Sequence, residues 1–216
     1  MTVPLQPVLG DRREAVYYPP MSDSPPDVAA FVLAGGKSTR MGTDKAFVAF
    51  DGRSLLARAL DLARSVTPDV YIVGDSAKFS AFAPVVEDLY RDCGPLAGIH
   101  AALRTSTKEL NLILAVDVPF VSLALLHYLI RRAQDSSAAV TVPRAGGGWQ
   151  PLCAVYRREF ADAAQSALQR GDYKIDALFD TVKVQVIEEE ELTGAGFSPR
   201  IFRNLNTKEE LEAAKS

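Results

Sequence analysis

Residues 28–46 read VAAFVLAGGKSTRMGTDKA, and this stretch decides the fold. Its first six residues form an unbroken apolar run of strand length, the pattern of a strand covered on both faces in a parallel sheet. The strand ends in Leu33, Ala34, Gly35 and Gly36. Adjacent glycines let backbone N–H groups approach an anion with no side chain in the way, while Arg40 and Lys45 bring mobile positive charge to the same anion. That combination suits a triphosphate. Two familiar phosphate loops fail on spacing. Walker A needs a glycine five positions before the Gly-Lys-Ser run, where Phe31 stands, and the dinucleotide fingerprint would need glycine at Lys37 and Arg40. A plain turn from strand to helix would explain the glycines, but not a loop from Leu33 to Lys45 with three basic residues.

Working outward, short apolar runs alternate with amphipathic segments. Strands are expected at 70–73, 84–86, 112–116 and 182–187. Ser54 is placed to cap a helix with Leu55, Leu56, Ala59, Leu60 and Ala63 at helical spacing, and Ser122 to cap another carrying Leu126, Leu129, Ile130 and Ala133. Further helices are expected after Gly94-Pro95, near 159–169 and from Thr207, which forms a capping box with Glu210. Residues 139–142, the glycines at 146–148 and residues 152–156 suggest a small antiparallel, hairpin-like insertion. The alternation predicts an α/β fold of three layers, a mostly parallel sheet with helices on both faces, whose ligands lie outside the carboxyl ends of the strands.

A second strand end then matters. Asp117 follows the most apolar strand and precedes Pro119, so its carboxylate should emerge beside the first loop. A magnesium ion takes one or two carboxylates plus phosphate oxygens and water, and Asp117 suits that role. The alternative is an aspartate that turns the chain before proline. Asp88, after Val85-Val86, is a weaker candidate of the same kind. His100 and His127 have no partner at metal-ligand spacing and are expected to be structural. Trp149 is open to two roles, stacking on a ligand or packing against the hairpin. Cys93 is expected to be an incidental thiol, Cys153 a core residue, and Glu188 to Glu191 a solvated charge run.

Composition narrows the classes. The 216 residues include 48% hydrophobic and 24% charged residues, a globular balance, and the formal charge of -3 gives no field suited to nucleic acid or an anionic membrane. The two cysteines have no metal or redox spacing, which suits a cytoplasmic protein. The apolar stretch 112–130 is broken by Asp117 and Pro119, so it is expected in the core and not in a bilayer. Six of the thirteen prolines fall in residues 1–27, which have the composition of a disordered leader, with Met21 a candidate natural start; residues 28–216 are expected to form a single domain.

Five blocks together resemble a known family. LAGGKSTRMGTDKA at 33–46, VVEDLYRDCGPLAGIHAAL at 85–103, AVDVPF at 115–120, QPLCAVY at 150–156 and NLNTKEEL at 204–211 are similar, in order and spacing, to the bacterial molybdenum cofactor guanylyltransferases. The resemblance implies a Rossmann-like nucleotidyltransferase fold and magnesium-dependent transfer of GMP from GTP to molybdopterin carrying molybdenum, giving the guanine dinucleotide and pyrophosphate. It assigns Leu33, Ala34, Gly35, Lys45 and Asp88 to GTP, and Asp117 to GTP and Mg2+; the Gly35 and Gly36 amides are expected to meet phosphate oxygens. Arg40 and Lys45 would serve the triphosphate in catalysis. Gln150, Pro151, Asn204 and Asn206 fall on the acceptor side, and molybdoenzyme maturation proteins would be partners.

The LAGG form, with GPLAG downstream, is similar to the guanine enzymes and not to the cytidine-transferring relatives. One departure is Gly74, where some members place a nucleotide-contacting asparagine. The acceptor's terminal phosphate, with a second pKa of about 6, would be the nucleophile without a general base. Competing expectations are a cytidylyltransferase or sugar-phosphate nucleotidyltransferase on the same architecture, and a non-catalytic pterin-cofactor delivery protein. The last has no need of Lys45, Asp88 and Asp117 together.

Overall fold

In the computed structural model, which describes residues 27–35 and 44–204, the opening apolar run forms β1 (Val28–Leu33), every residue of it buried. Its side chains alternate between two cores. Val28, Ala30 and Val32 face one, and Ala29, Phe31 and Leu33 the other. A strand with no polar face has to lie inside a sheet covered on both sides. β6 (Leu110–Ala115) is equally buried and pairs with β1 in parallel over its whole length. β4 (Val70–Val73) pairs with the other side of β1, and β5 (Val85–Val86) extends the sheet beyond β4.

Beyond β6 come β9 (Cys153–Arg157), β7 (Val140–Ala145) and β10 (Val184–Glu188), with the two-residue β8 (Gly148–Trp149) on β7. The order is β10-β7-β9-β6-β1-β4-β5. All of these run parallel except β9, which is antiparallel to both neighbours; β8 is antiparallel to β7. The antiparallel pair expected at 139–156 therefore joins the main sheet. The reason is in its side chains: Cys153 and Val155 face one core, Ala154 and Tyr156 the other, so β9 needs cover on both faces. A separate small antiparallel sheet pairs β2 (Ala49–Phe50) with β3 (Arg53–Ser54) around Asp51-Gly52, both at positive φ, the geometry that favours an Asp-Gly hairpin turn.

Helices cover both faces as expected. α1 (Leu55–Arg64) and α4 (Leu123–Gln134) lie on one side, α3 (Pro95–Thr105) and α5 (Phe160–Arg170) on the other. α1 buries the five residues its spacing predicts. Ser54 Oγ accepts from Ala57 N at 3.2 Å and Ser122 Oγ from Leu125 N at 3.3 Å, so both expected caps form. Two further helices are short, α2 (Ser76–Phe79) and α6 (Glu189–Gly194). The glutamate run at 188–191 is not merely solvated. Glu188 pairs with Arg144, Glu189 accepts from Gly146 N at 2.6 Å, and Glu191 pairs with Arg132. Glutamates in the first turn of α6 also suit the positive end of its dipole.

The apolar stretch 112–130 is divided between β6, a turn and α4, and no helix among the described residues is long and apolar enough to cross a membrane. The leader lies outside the described residues apart from Asp27, as do Met21, Thr207 and Glu210.

Candidate functional site at the carboxyl edge of the sheet

The parallel register brings the ends of β6, β1, β4 and β5 to one edge in that order. Backbone hydrogen bonds fix the first turn there: Val116 N donates to Leu33 O at 3.1 Å, and Ala34 N to Val73 O at 3.0 Å. Gly35 lies beside Gly74, where a Cβ on it would stand at the ordinary contact distance of 3.8 Å from the Gly74 Cα. Leu33, Ala34 and Gly35 therefore lie between the two neighbouring strand ends. Gly36 and Arg40 are outside the described residues.

The chain returns at Asp44, which caps a 3₁₀ turn (Lys45–Phe47) through its side chain. Lys45 on this turn reaches across to Asp117, in the turn after β6, with Nζ 3.4 Å from Oδ2. Their side chains are 17% and 23% exposed, shielded enough that the attraction is less screened than in a surface pair. The two sequence signals singled out independently, the basic loop and the strand-end carboxylate, thus meet at one point.

Asp88 occupies another place. β5 and β6 are three strand positions apart, so their ends are separated by roughly 14 Å at ~4.8 Å per strand. An elongated ligand lying across the edge could touch both aspartates; one metal ion could not. Burial raises the Asp88 pKa from its ordinary value, the Arg91 charge opposes this, and Asp92 and Glu87 add to it. Its neighbour Glu87 is shifted the other way by hydrogen bonds from the Ser76 hydroxyl and backbone N–H.

The acceptor-side candidates approach the same edge from β7 and β9. Gln150 Nε2 donates to Ala145 O at 2.9 Å, and Pro151 O accepts from Tyr156 Oη at 2.8 Å. Leu152 O accepts from Ala115 N at 2.7 Å, two residues before Asp117. Asn204 is exposed beside Arg203, which lines a groove of about 630 Å³. That groove begins at Phe120, just past Asp117, and is otherwise walled by the 196–201 segment and the start of α4. Asn206 lies outside the described residues. Trp149 packs edge-on against Phe179, ring centroids 5.0 Å apart, and beneath the Arg144 guanidinium, which is the hairpin-packing alternative of the two open to it.

A match to the MobA-like NTP transferase domain covers residues 30–186. The chain belongs to that family. Among the relatives of the family, the molybdenum cofactor guanylyltransferase of Desulfosudis oleivorans is 36% identical, over 88% of this chain and 95% of its own. The protein of that name from Syntrophotalea carbinolica is 31% identical, over 85% and 89%. A solved structure of molybdopterin-guanine dinucleotide biosynthesis protein A from Archaeoglobus fulgidus matches with a TM-score of 0.76 at 27% identity, over 86% of this chain and 96% of that one. The mostly parallel sheet with helices on both faces is thus the family's nucleotidyltransferase fold.

MobA-like transferases are nucleotidyltransferases, a class that generally works with a divalent metal. Among the described residues, no group of three or more His, Cys, Asp and Glu could hold one. A hard cation shared with substrate phosphates needs less, one or two carboxylates with the remaining positions filled by phosphate oxygen and water, and Asp117 fits that demand. Sequence reasoning missed Asp44 and Lys78, whose carboxylate and ammonium pair at 3.1 Å beside Lys45. The Asp before Lys45 carried a capping signal; Lys78 carried none.

Proposed function

We propose that this protein transfers GMP from GTP to molybdopterin carrying molybdenum, forming the guanine dinucleotide of the cofactor and pyrophosphate. The observation that supports this most is the 3.4 Å approach of Lys45 Nζ to Asp117 Oδ2 at the carboxyl edge of the sheet. A cation for phosphate oxygens and a carboxylate for a metal stand side by side there.

An oxygen of the acceptor's terminal phosphate forms the new bond to the α-phosphorus, and the bond from that phosphorus to the bridging oxygen of the β-phosphate breaks. The pyrophosphate leaves with that electron pair. No proton has to be removed from the nucleophile, because a phosphate monoester is largely ionised at neutral pH. The chain's own work is positioning and charge compensation. Leu33, Ala34, Gly35 and Gly36 are assigned to the nucleotide, Lys45 and Arg40 to the triphosphate, and Asp88 to the nucleoside end. Gln150, Pro151, Asn204 and Asn206 are assigned to the acceptor; Gly36, Arg40 and Asn206 among these lie outside the described residues. Asp117 would hold Mg2+, which when bound offsets negative charge on the triphosphate. The setting is the cytoplasm, with hand-over of the product to molybdoenzyme maturation proteins.

The test is incubation with Mg2+, molybdenum-loaded molybdopterin and GTP, CTP or UTP in parallel, followed by chromatography of the dinucleotide. Product is expected with GTP; product with CTP alone would turn the reading to a cytidylyltransferase, and nucleotide binding without any product to a carrier. Asp117→Ala should lower turnover by about a hundredfold, the usual size for one lost transition-state charge contact, with an unchanged circular dichroism spectrum. Turnover within about threefold of wild type would reject the role given to Asp117.

A further inference from the structure

The turn that carries Lys45 is held from outside by α2. Asp44 Oδ1 accepts from Ala46 N at 3.2 Å, while its other carboxylate oxygen receives Lys78 Nζ, on α2, at 3.1 Å. A second tie is aromatic. Phe79 of α2 is buried and stacks on Phe47 of the turn, ring centroids 5.8 Å apart, and Phe82 adds a ring at 5.9 Å. α2 is itself anchored. The Asp75 side chain accepts from Ala77 N at 2.9 Å, and Glu87 accepts from both the backbone N and the hydroxyl of Ser76, at 2.9 and 2.5 Å.

This closeness depends on Gly74. A Cβ there would stand 2.9 Å from Phe79 Cε2 and 3.0 Å from Cδ2, closer than real contacts allow. The missing side chain lets the Phe79 ring fill the space over residue 74, next along α2 from Lys78. A chain of contacts then runs from Glu87 through α2 and Asp44 to Lys45 and Asp117.

We propose that Lys78 is a positioning residue for the transfer reaction: through Asp44 it fixes the turn from which Lys45 reaches the triphosphate, and Gly74 is the opening that allows it. This rests on the role given to Lys45 above. The Lys78 side chain is 53% exposed, so the pair adds little to global stability. Its effect belongs instead in the precision with which Lys45 is aimed, a property that acts on the chemical step.

GMP transfer from GTP to molybdopterin, followed by pyrophosphate release, should show it. Lys78→Met is expected to lower kcat by about fivefold with the GTP KM changed less than about twofold and the melting temperature nearly unmoved. Lys78→Arg should recover most of the loss. Asp44→Asn should match Lys78→Met, and the double variant should lose no more than either alone. The gap between Lys78→Met and wild type should narrow at high salt, since salt screens an exposed pair. Gly74→Ala approaches the same device from its other end and should also lower kcat. Lys45→Met separates the two ideas. If it abolishes turnover while Lys78→Met and Gly74→Ala both stay near wild type, the positioning role is overturned alone; if Lys45→Met is itself near wild type, both readings fall.

Discussion

Asp88 and Asp117 are both strand-end aspartates, yet their surroundings set them different tasks. Asp117 stands beside the Lys45 ammonium, whereas Asp88 is partly desolvated and its pKa is raised. A carboxyl with a raised folded-state pKa favours folding below its unfolded pKa of about 3.9 and loses that advantage as pH climbs through the raised value. At neutral pH the ionised Asp88 is therefore a liability to the fold, consistent with retention for binding. Asp88→Asn should melt at a higher temperature than wild type at pH 7, with the difference gone near pH 3.5, and should bind GTP more weakly in calorimetry. A lower melting temperature at pH 7 would contradict this. That the 33–35 turn, Lys45 and Asp117 would meet at one place was legible in the sequence because a buried strand that stops at glycines, and another that stops at an acid, mark the same edge of a parallel sheet. The Asp44–Lys78 pair was not, since its partners are 34 residues apart and nothing in either neighbourhood points to the other.

Among the elements, the long helices were the most readable because their caps and spacing agree. Ser122→Ala removes the bond to Leu125 N at the start of α4 and should cost about 1 kcal/mol, seen as a lower urea midpoint with an unchanged slope. The loss should carry into activity as well, because α4 begins where the Asp117 turn ends. The short elements were harder to see. α2 has four residues, too few to display a helical period, and it forms through its Asp75 cap and its contacts with Glu87 and Phe47. β2 and β3 are two residues each, too short to display an alternation, and were not read from the sequence. The segment 139–156 was readable as two strands and a turn, but its place depends on β9 being apolar on both faces. That is a property of what surrounds it more than of its own alternation.

In the whole molecule, one side chain ties several layers together. Arg157, at the end of β9, donates through Nη2 to Ala133 O at 3.0 Å and Ser136 O at 2.6 Å, and pairs through Nη1 with Glu109 at the start of β6. It thereby adds a charged donor to the Ala133 carbonyl at the close of α4, which also accepts from Ser136 N at 3.3 Å. Arg157→Met should cost about 1–3 kcal/mol in urea denaturation, because partly buried acceptors lose a charged donor, while GTP affinity, assigned to the edge at the other end of the strands, should be unchanged. The parallel sheet, its two cores and the edge that carries the site all followed from the alternation of strands and helices. The reversal of β9 against β7 was read from the hairpin pattern, but its place in the main sheet between β7 and β6 was not.

That reversal has a further consequence. Because β9 runs against its neighbours, the chain that leaves β7 and the chain that enters β9 are one continuous stretch, 146–152, which includes β8 and meets β6 where Leu152 O accepts from Ala115 N, two residues before Asp117. The ends of β1 and β5 and the turn of Lys45, which carry most of the residues assigned to the nucleotide, contribute nothing to it. A lineage could remodel this one stretch, by insertion or replacement, and acquire a different phosphorylated recipient while the grip on the triphosphate stayed as it was.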